Sequence, residues 1–556
     1  IGVFFLALIG IIVWVVRQKQ NDSADYFLGG RDATWLAIGA SIFASNIGSE
    51  HLIGLAGAGA SSGMAMAHWE IQGWMILILG WVFVPFYTRS MVYTMPEFLE
   101  RRYNPQSRTI LSVISLVSYV LTKVAVTVYA GGLVFQQVFG IKELWGIDFF
   151  WIAAIGLVVL TALYTIFGGM KSVLYTSVLQ TPILLLGSLI ILVLGFKELG
   201  GWDEMMRVCG AVTVNDYGDT MTNLIRSNDD ANFPWLGALI GSAIIGFWYW
   251  CTDQFIVQRV LSGKNEMEAR RGTIFGAYLK LLPVFLFLIP GMIAFALHQK
   301  YIGAGGEGFL PMLENGTANA DAAFPTLVAK LLPAGVKGLV VCGILAALMS
   351  SLASLFNSSA MLFTIDFYKR FRPQTSEKKL VGIGQVATVV IVILGILWIP
   401  IMRSVGDVLY TYLQDVQSVL APGIAAAFLL GICWKRTSAQ GGMWGLISGM
   451  VIGLTRLGAK VYYSNAGEVA DSTFKYLFYD MNWLFFCGWM FLFCIIVVIV
   501  VSLATEAPTA EKIQGLVFGT ATKEQKASTR ASWNHWDIIH TVIILAITGA
   551  FYWYFW

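Results

Sequence analysis

Asn46, Glu50, His51, Glu70, Lys123, Asp253, Gln254, Lys280, Gln414, Asp415 and Arg456 are polar or ionisable side chains set inside otherwise apolar stretches of this sequence. Each is costly to bury in hydrocarbon, so each needs either an internal partner that braces helices or a ligand. Together they supply donors, acceptors and both signs of charge. An uncharged, polyhydroxylated solute asks for such a mixture, because every hydroxyl both donates and accepts. A carboxylate and an ammonium add charge-assisted hydrogen bonds without requiring charge on the ligand. Tyr249 or Trp250 can stack on the apolar face of a sugar ring, and ordinary aromatic packing explains them equally well.

A second oxygen-rich place is the run from Ala346 to Ser354, where Ser350 and Ser351 are adjacent hydroxyls in an apolar context. Sodium, a hard cation, takes oxygen ligands from hydroxyls and from carbonyls freed where a helix unwinds. The stretch Ala44-Ser45-Asn46-Ile47-Gly48-Ser49-Glu50-His51 is polar and contains glycine in mid-segment, and predicts such a break. The alternative is that these serines bond back to their own helix. The five histidines have no metal-ligand spacing, and no nucleophile–base pair is evident. The glycines of Gly57–Gly63 follow a membrane segment and not a strand, so an enzyme is not expected.

The elements that hold these groups follow from composition. Of 556 residues, 57% are hydrophobic and only 12% charged, against about a quarter charged in soluble proteins. The solvent for such a chain is lipid. The 20 Trp, 21 Tyr and 36 Phe suit interfacial belts and an aromatic-lined cavity, and a net charge of +3 leaves no nucleic-acid footprint. The six cysteines show no paired spacing. Fourteen apolar segments are long enough to span: 1–17, 34–60, 68–87, 108–137, 148–167, 174–196, 235–260, 272–299, 334–365, 380–402, 407–433, 440–458, 482–503 and 536–555. They are continuous, so helices and not a barrel are implied, an all-α polytopic membrane protein. The second and the seventh, with its Gly246–Gln254 stretch, are interrupted, and they stand five apart. Interruptions at matching places of two halves point to an inverted repeat with its site at the midplane. Residues 1–33 then form a first peripheral helix and inner loop, 34–200 one repeat, 201–234 an outer loop, 235–434 the second repeat and 435–556 three peripheral helices. Lys and Arg crowd one set of loops, among them Arg17, Arg31, Arg101, Arg102, Arg270, Arg271, Lys369 and Arg370. The positive-inside bias therefore puts both termini outside.

At these residues the sequence resembles the sodium/glucose cotransporter branch of the solute:sodium symporter family, over nearly its whole length. The matching pieces are Ala44–His51, Tyr93–Phe98, Ala162–Gly169, Trp248–Arg259 and Ser350–Ser358. The resemblance implies a LeuT-type fold of 5+5 inverted repeats with about fourteen helices. It implies sodium-driven alternating access carrying glucose or a galactose-like hexose. Its sugar contacts fall on Asn46, Glu50, His51, Glu70, Tyr249, Lys280 and Gln414, with Tyr249 as an inner gate. An outer gate falls on Leu55, Trp69 and Tyr410. The ion site falls on the carbonyls of Ala44, Ile47 and Ala347 and the hydroxyls of Ser350 and Ser351. Gly246 stands where relatives carry Asn or Thr, which implies a locally roomier pocket. Ser177 and Ala353 replace an Asp and a Thr of two-sodium members, which implies one sodium per sugar. His51 matches animal glucose carriers, whereas short outer loops without cysteine pairs favour a bacterial plasma membrane. Asn315-Gly316-Thr317 is a glycosylation sequon. Myo-inositol, an amino acid, or sialic acid or another anion stay open as solutes, as does a sugar sensor or sodium channel without stoichiometric transport.

Overall fold

In hydrocarbon every backbone N–H and C=O must be met within the chain, and long apolar runs meet them by coiling. The computed structural model describes every residue except 1, 19–21, 49, 314–315, 403–408 and 466–469, and side chains at 120–122, 125, 137, 398–402, 409–413 and 464–465 also lie outside the description. The chain forms α1 (Gly2–Arg17), α2 (Trp35–Asn46), α3 (Ala56–Ser62), α4 (Pro105–Ser118), α5 (Ala125–Phe139), α6 (Phe149–Leu199), α7 (Trp235–Gly246), α8 (Gln254–Leu261), α9 (Glu266–Lys280), α10 (Ile289–Gly303), α11 (Ala334–Met361), α12 (Glu377–Met402), α13 (Leu409–Cys433), α14 (Ala439–Asn465), α15 (Trp483–Ala504) and α16 (His535–Tyr554). Turns and shorter helices join them, among these Ala67–Glu70, Gly73–Ile78, Val84–Ser90, Met95–Arg102, Trp202–Gly210 and Lys523–Ala531, and a small antiparallel hairpin pairs Glu143–Leu144 with Ile147–Asp148.

Each of the fourteen apolar segments falls largely on helix among the described residues. Among the described residues, however, nine helical runs are long and apolar enough to cross a membrane. Two features account for part of the difference. Mid-span breaks leave pieces such as α2, with 12 residues, short of a bilayer, where about 20 are needed. Conversely, α6 runs for 51 residues and carries two expected segments. It kinks at Gly169, whose φ of 54° only glycine adopts readily, and where a Cβ would stand 2.4 Å from the Tyr26 carbonyl oxygen.

The two breaks use the same parts in opposite order. α2 stops at Asn46, Ile47 is extended, and a wide π turn over Glu50–Leu55 leads into α3. α7 stops at Gly246, a π turn covers Phe247–Thr252, and extended Asp253 caps α8 with its own side chain. Around them, α11 is buried almost throughout and lies against α6. Glycine lets α2 and α9 approach closely, the Cβ site of Gly272 lying 2.6 Å from Ile38 Cγ2. α13, α14 and α15 pack as a trio, and α15 and α16 expose large apolar side chains such as Trp489, Leu503 and Val542, an apolar surface of the kind that suits lipid. The polar 505–535 linker is tied down: Lys512 Nζ donates to the Glu100 carbonyl at 2.8 Å, and Ser532 and Thr529 accept from Arg270 and Arg89.

Candidate functional site

The two breaks face each other. One cavity is lined by Asn46, Glu50 and His51 from the first break, by Trp69 and Glu70 from the short helix Ala67–Glu70, and by Gln72 just past its end. Ile245, Gly246, Tyr249 and Trp250 come from the second break, Lys280 from the end of α9, and Gln414 and Gln417 from α13. Its volume in this conformation is about 30 Å³, room for a water or two and not for a six-membered ring. Lys280 Nζ donates to Glu70 Oε2 at 2.6 Å and to Asn46 Oδ1 at 3.1 Å. His51 Nε2 lies 3.2 Å from the same Glu70 oxygen. Asn46 Nδ2 donates to the Tyr249 hydroxyl at 3.1 Å, so one amide links the ammonium to the tyrosine. Lys280 Nζ also sits 5.3 Å from the Trp250 ring centre. Trp69 Nε1 and Gln414 Oε1, a donor and an acceptor, are buried with no partner among the described residues. Buried polar atoms are almost always paired, so both are open to a ligand bearing hydroxyls.

Not every sequence-stretch polar residue belongs here, and the remainder brace helices. Lys123 Nζ pairs with Asp253 at 2.8 Å, Tyr119 bonds the same carboxylate, and the ammonium lies 4.5 Å from the Tyr249 ring centre. Gln254 Oε1 accepts from Met95 N at 2.8 Å. Asp415 pairs with Lys460, and Arg456 donates to the Met481 carbonyl at 2.8 Å. Of the expected gate residues, Trp69 lines the cavity and stacks on Trp483 at 5.5 Å. Leu55 is buried but does not line it. The Tyr410 side chain and the Asn315 sequon residue lie outside the described residues. The extra room expected at Gly246 is absent: Gln72 fills it, with Oε1 2.5 Å from where a Cβ would be. Gln72, Gln417 and Ile245 were not anticipated as cavity residues. Gln417 was within reach, since it shares a helix face with Gln414 three residues earlier.

At the first break the serine doublet divides. Ser351 Oγ donates across to the carbonyls of Ser45 at 2.9 Å and Ile47 at 3.2 Å, and does not bond back to its own helix. Ser350 Oγ turns towards Ser177 Oγ at 3.3 Å, and Ser177 in turn approaches Ser41 at 3.5 Å. Ala44 is in the last turn of α2, and Ala347 is one turn before Ser351, both buried. An ion bound at Ser351 would thus compete with a hydroxyl for carbonyls of the unwound segment. Beside it, Ser45 Oγ accepts from Arg259 Nε at 3.1 Å and pairs with Ser354 Oγ at 2.7 Å, which sets a guanidinium next to the serine cluster.

The sodium:solute symporter family model matches residues 26–449. The chain is 37% identical to the sodium/myo-inositol cotransporter 2 of Homo sapiens over 531 residues, 93% of this chain and 78% of that protein. It is 37% identical to the sodium/myo-inositol cotransporter of Canis lupus familiaris over 543 residues, 93% and 74% of the two chains. Among solved structures, a substrate-bound, outward-open Na+-coupled sialic acid symporter matches with a TM-score of 0.72 at 22% identity, over 91% of this chain and 98% of that one. At that identity the match speaks to the fold, a LeuT-type bundle.

Proposed function

This chain belongs to the sodium:solute symporter family, and we propose that the solute it moves with sodium is an uncharged six-membered ring rich in hydroxyls. Myo-inositol, the solute in both relatives' names, is such a ring, and so is a glucose- or galactose-like hexose. The observation that carries this reading is the cavity's charge balance. Among the cavity-lining residues the one obligate cation, Lys280, is bonded to Glu70 at 2.6 Å, and Glu50 adds a further carboxylate. A solute carrying its own carboxylate would meet repulsion there, with no arginine among the lining residues to answer it. A neutral ring can instead use Asn46, His51, Glu70, Lys280 and Gln414 as a mixed donor–acceptor wall and Trp250 as a platform.

Coupling follows from shared backbone. The carbonyls proposed for sodium, at Ala44 and Ile47, flank Asn46, whose amide enters the solute cavity and holds Tyr249. Sodium ordering that segment orders the solute wall with it, so each ligand favours the other's bound state. The solute contacts, the gate at Trp69 and Tyr249 and the ion ligands Ala347, Ser350 and Ser351 are assigned on this reading. One sodium per solute is supported by Ser177, a hydroxyl where a second ion would want a carboxylate. The test is equilibrium binding to purified protein in sodium and in choline. Neutral rings should bind in sodium and weaken in choline, and a sialic acid should bind in neither. Tighter binding of the carboxylated sugar would overturn the assignment.

A further inference from the structure

The space left by Gly246 is taken by a side chain with bonding capacity to spare. Gln72 is 3% exposed and lines the cavity. Its Nε2 donates to the Ser242 carbonyl at 2.8 Å, and its Oε1 accepts from Trp250 Nε1 at 3.3 Å. A Cβ on residue 246 would stand 2.5 Å from Oε1, 2.9 Å from Cδ and 3.0 Å from Nε2, so the amide fits there only over glycine. A carboxamide has two donor hydrogens and two acceptor lone pairs. One of each is spent on α7 and the indole, which leaves one donor and one acceptor side by side at the cavity wall.

A hydroxyl, which gives one hydrogen bond and takes another, matches that pair. We propose that Gln72 is a specificity-determining residue of the solute site, presenting a donor and an acceptor to one hydroxyl of the ring where a polar side chain at 246 would otherwise stand. The proposal rests on the reading of the solute as a neutral polyol. It differs from a role confined to holding Trp250: loss of a platform weakens every ring alike, whereas loss of a hydroxyl contact weakens only rings that carry that hydroxyl.

The experiment is sodium-driven uptake into proteoliposomes by wild type, Gln72→Met, Gly246→Ala and Trp250→Phe, using the preferred ring and its monodeoxy analogues. Gln72→Met removes the polar atoms at similar length, and Gly246→Ala leaves Gln72 intact but pushes its amide aside. Both should raise KM for the parent ring about tenfold, the scale of a lost pair of neutral hydrogen bonds. Both should leave KM unchanged for the one analogue that lacks the matched hydroxyl. Trp250→Phe should raise every KM together. An even rise across parent and analogues in both Gln72→Met and Gly246→Ala, or no rise, overturns the assignment. Wild type that accumulates no neutral ring overturns the substrate reading and this inference with it, whereas wild-type uptake with unselective variants overturns the Gln72 inference alone.

Discussion

Truncating Lys280 to alanine removes the ammonium on which the cavity's charges balance. Its Nζ lies 2.6 Å from Glu70 Oε2, and the two side chains are 4% and 1% exposed. Deleting one partner of a buried ion pair costs about 3–5 kcal/mol, because the other charge stays buried. His51 Nε2, 3.2 Å from the same oxygen, stays as a partner of the carboxylate and recovers part of this. About 2–4 kcal/mol is then left to weaken solute binding, which is roughly 30- to 1,000-fold in affinity. The assay is KM for sodium-driven uptake in wild type, Lys280→Ala, Glu70→Gln and the double variant. The double variant leaves no stranded carboxylate, so its loss should fall short of the summed single losses by more than about 1 kcal/mol. Unchanged affinity in Lys280→Ala, or strict additivity, would falsify the reasoning that the pair acts as a unit at the solute site.

Ser351→Ala deletes the hydroxyl that reaches the Ser45 and Ile47 carbonyls; half-saturating sodium should rise about tenfold, and an unmoved sodium activation curve would place the ion elsewhere. Ser177→Asp puts a carboxylate beside Ser350, 3.3 Å from Ser177 in the native chain, and should raise the sodium-to-solute ratio read from reversal potentials; a constant ratio would mean that further ligands are lacking. Asp253→Asn strands Lys123, whose side chain is 2% exposed, and should lower stability by about 3 kcal/mol, seen as a lower Tm in detergent that Lys123→Met partly restores. An unchanged Tm would contradict the bracing role.

The broken helices were legible because polar and glycine residues at mid-span have no other good use, and they drew Asn46, His51, Glu70, Tyr249 and Lys280 into one expected group that the structure does bring together. Partners were less legible. Nothing local to Lys123 or Asp253 says that they meet, since they lie 130 residues apart, and the sequence left each open between bracing a helix and meeting a ligand. Gln72 was hidden for a geometric reason. Residues 68–87 read as one continuous span, in which Glu70 and Gln72 would point about 200° apart. The helix in fact stops at Glu70, and Ile71 and Gln72 leave helical geometry, with ψ of 30° and 23°. That lost phase turns both side chains to the same cavity. The Gly246 gap was misread because its occupant, Gln72, comes from another span.

The central claim is best tested by uptake of labelled myo-inositol, glucose and galactose into proteoliposomes, with and without an inward sodium gradient. Accumulation of at least one of these rings above equilibrium, abolished when the gradient is collapsed, is the predicted result. Binding or sodium current without accumulation would contradict the account in favour of a sensor or channel, and gradient-driven uptake confined to charged solutes would contradict its reading of the cavity.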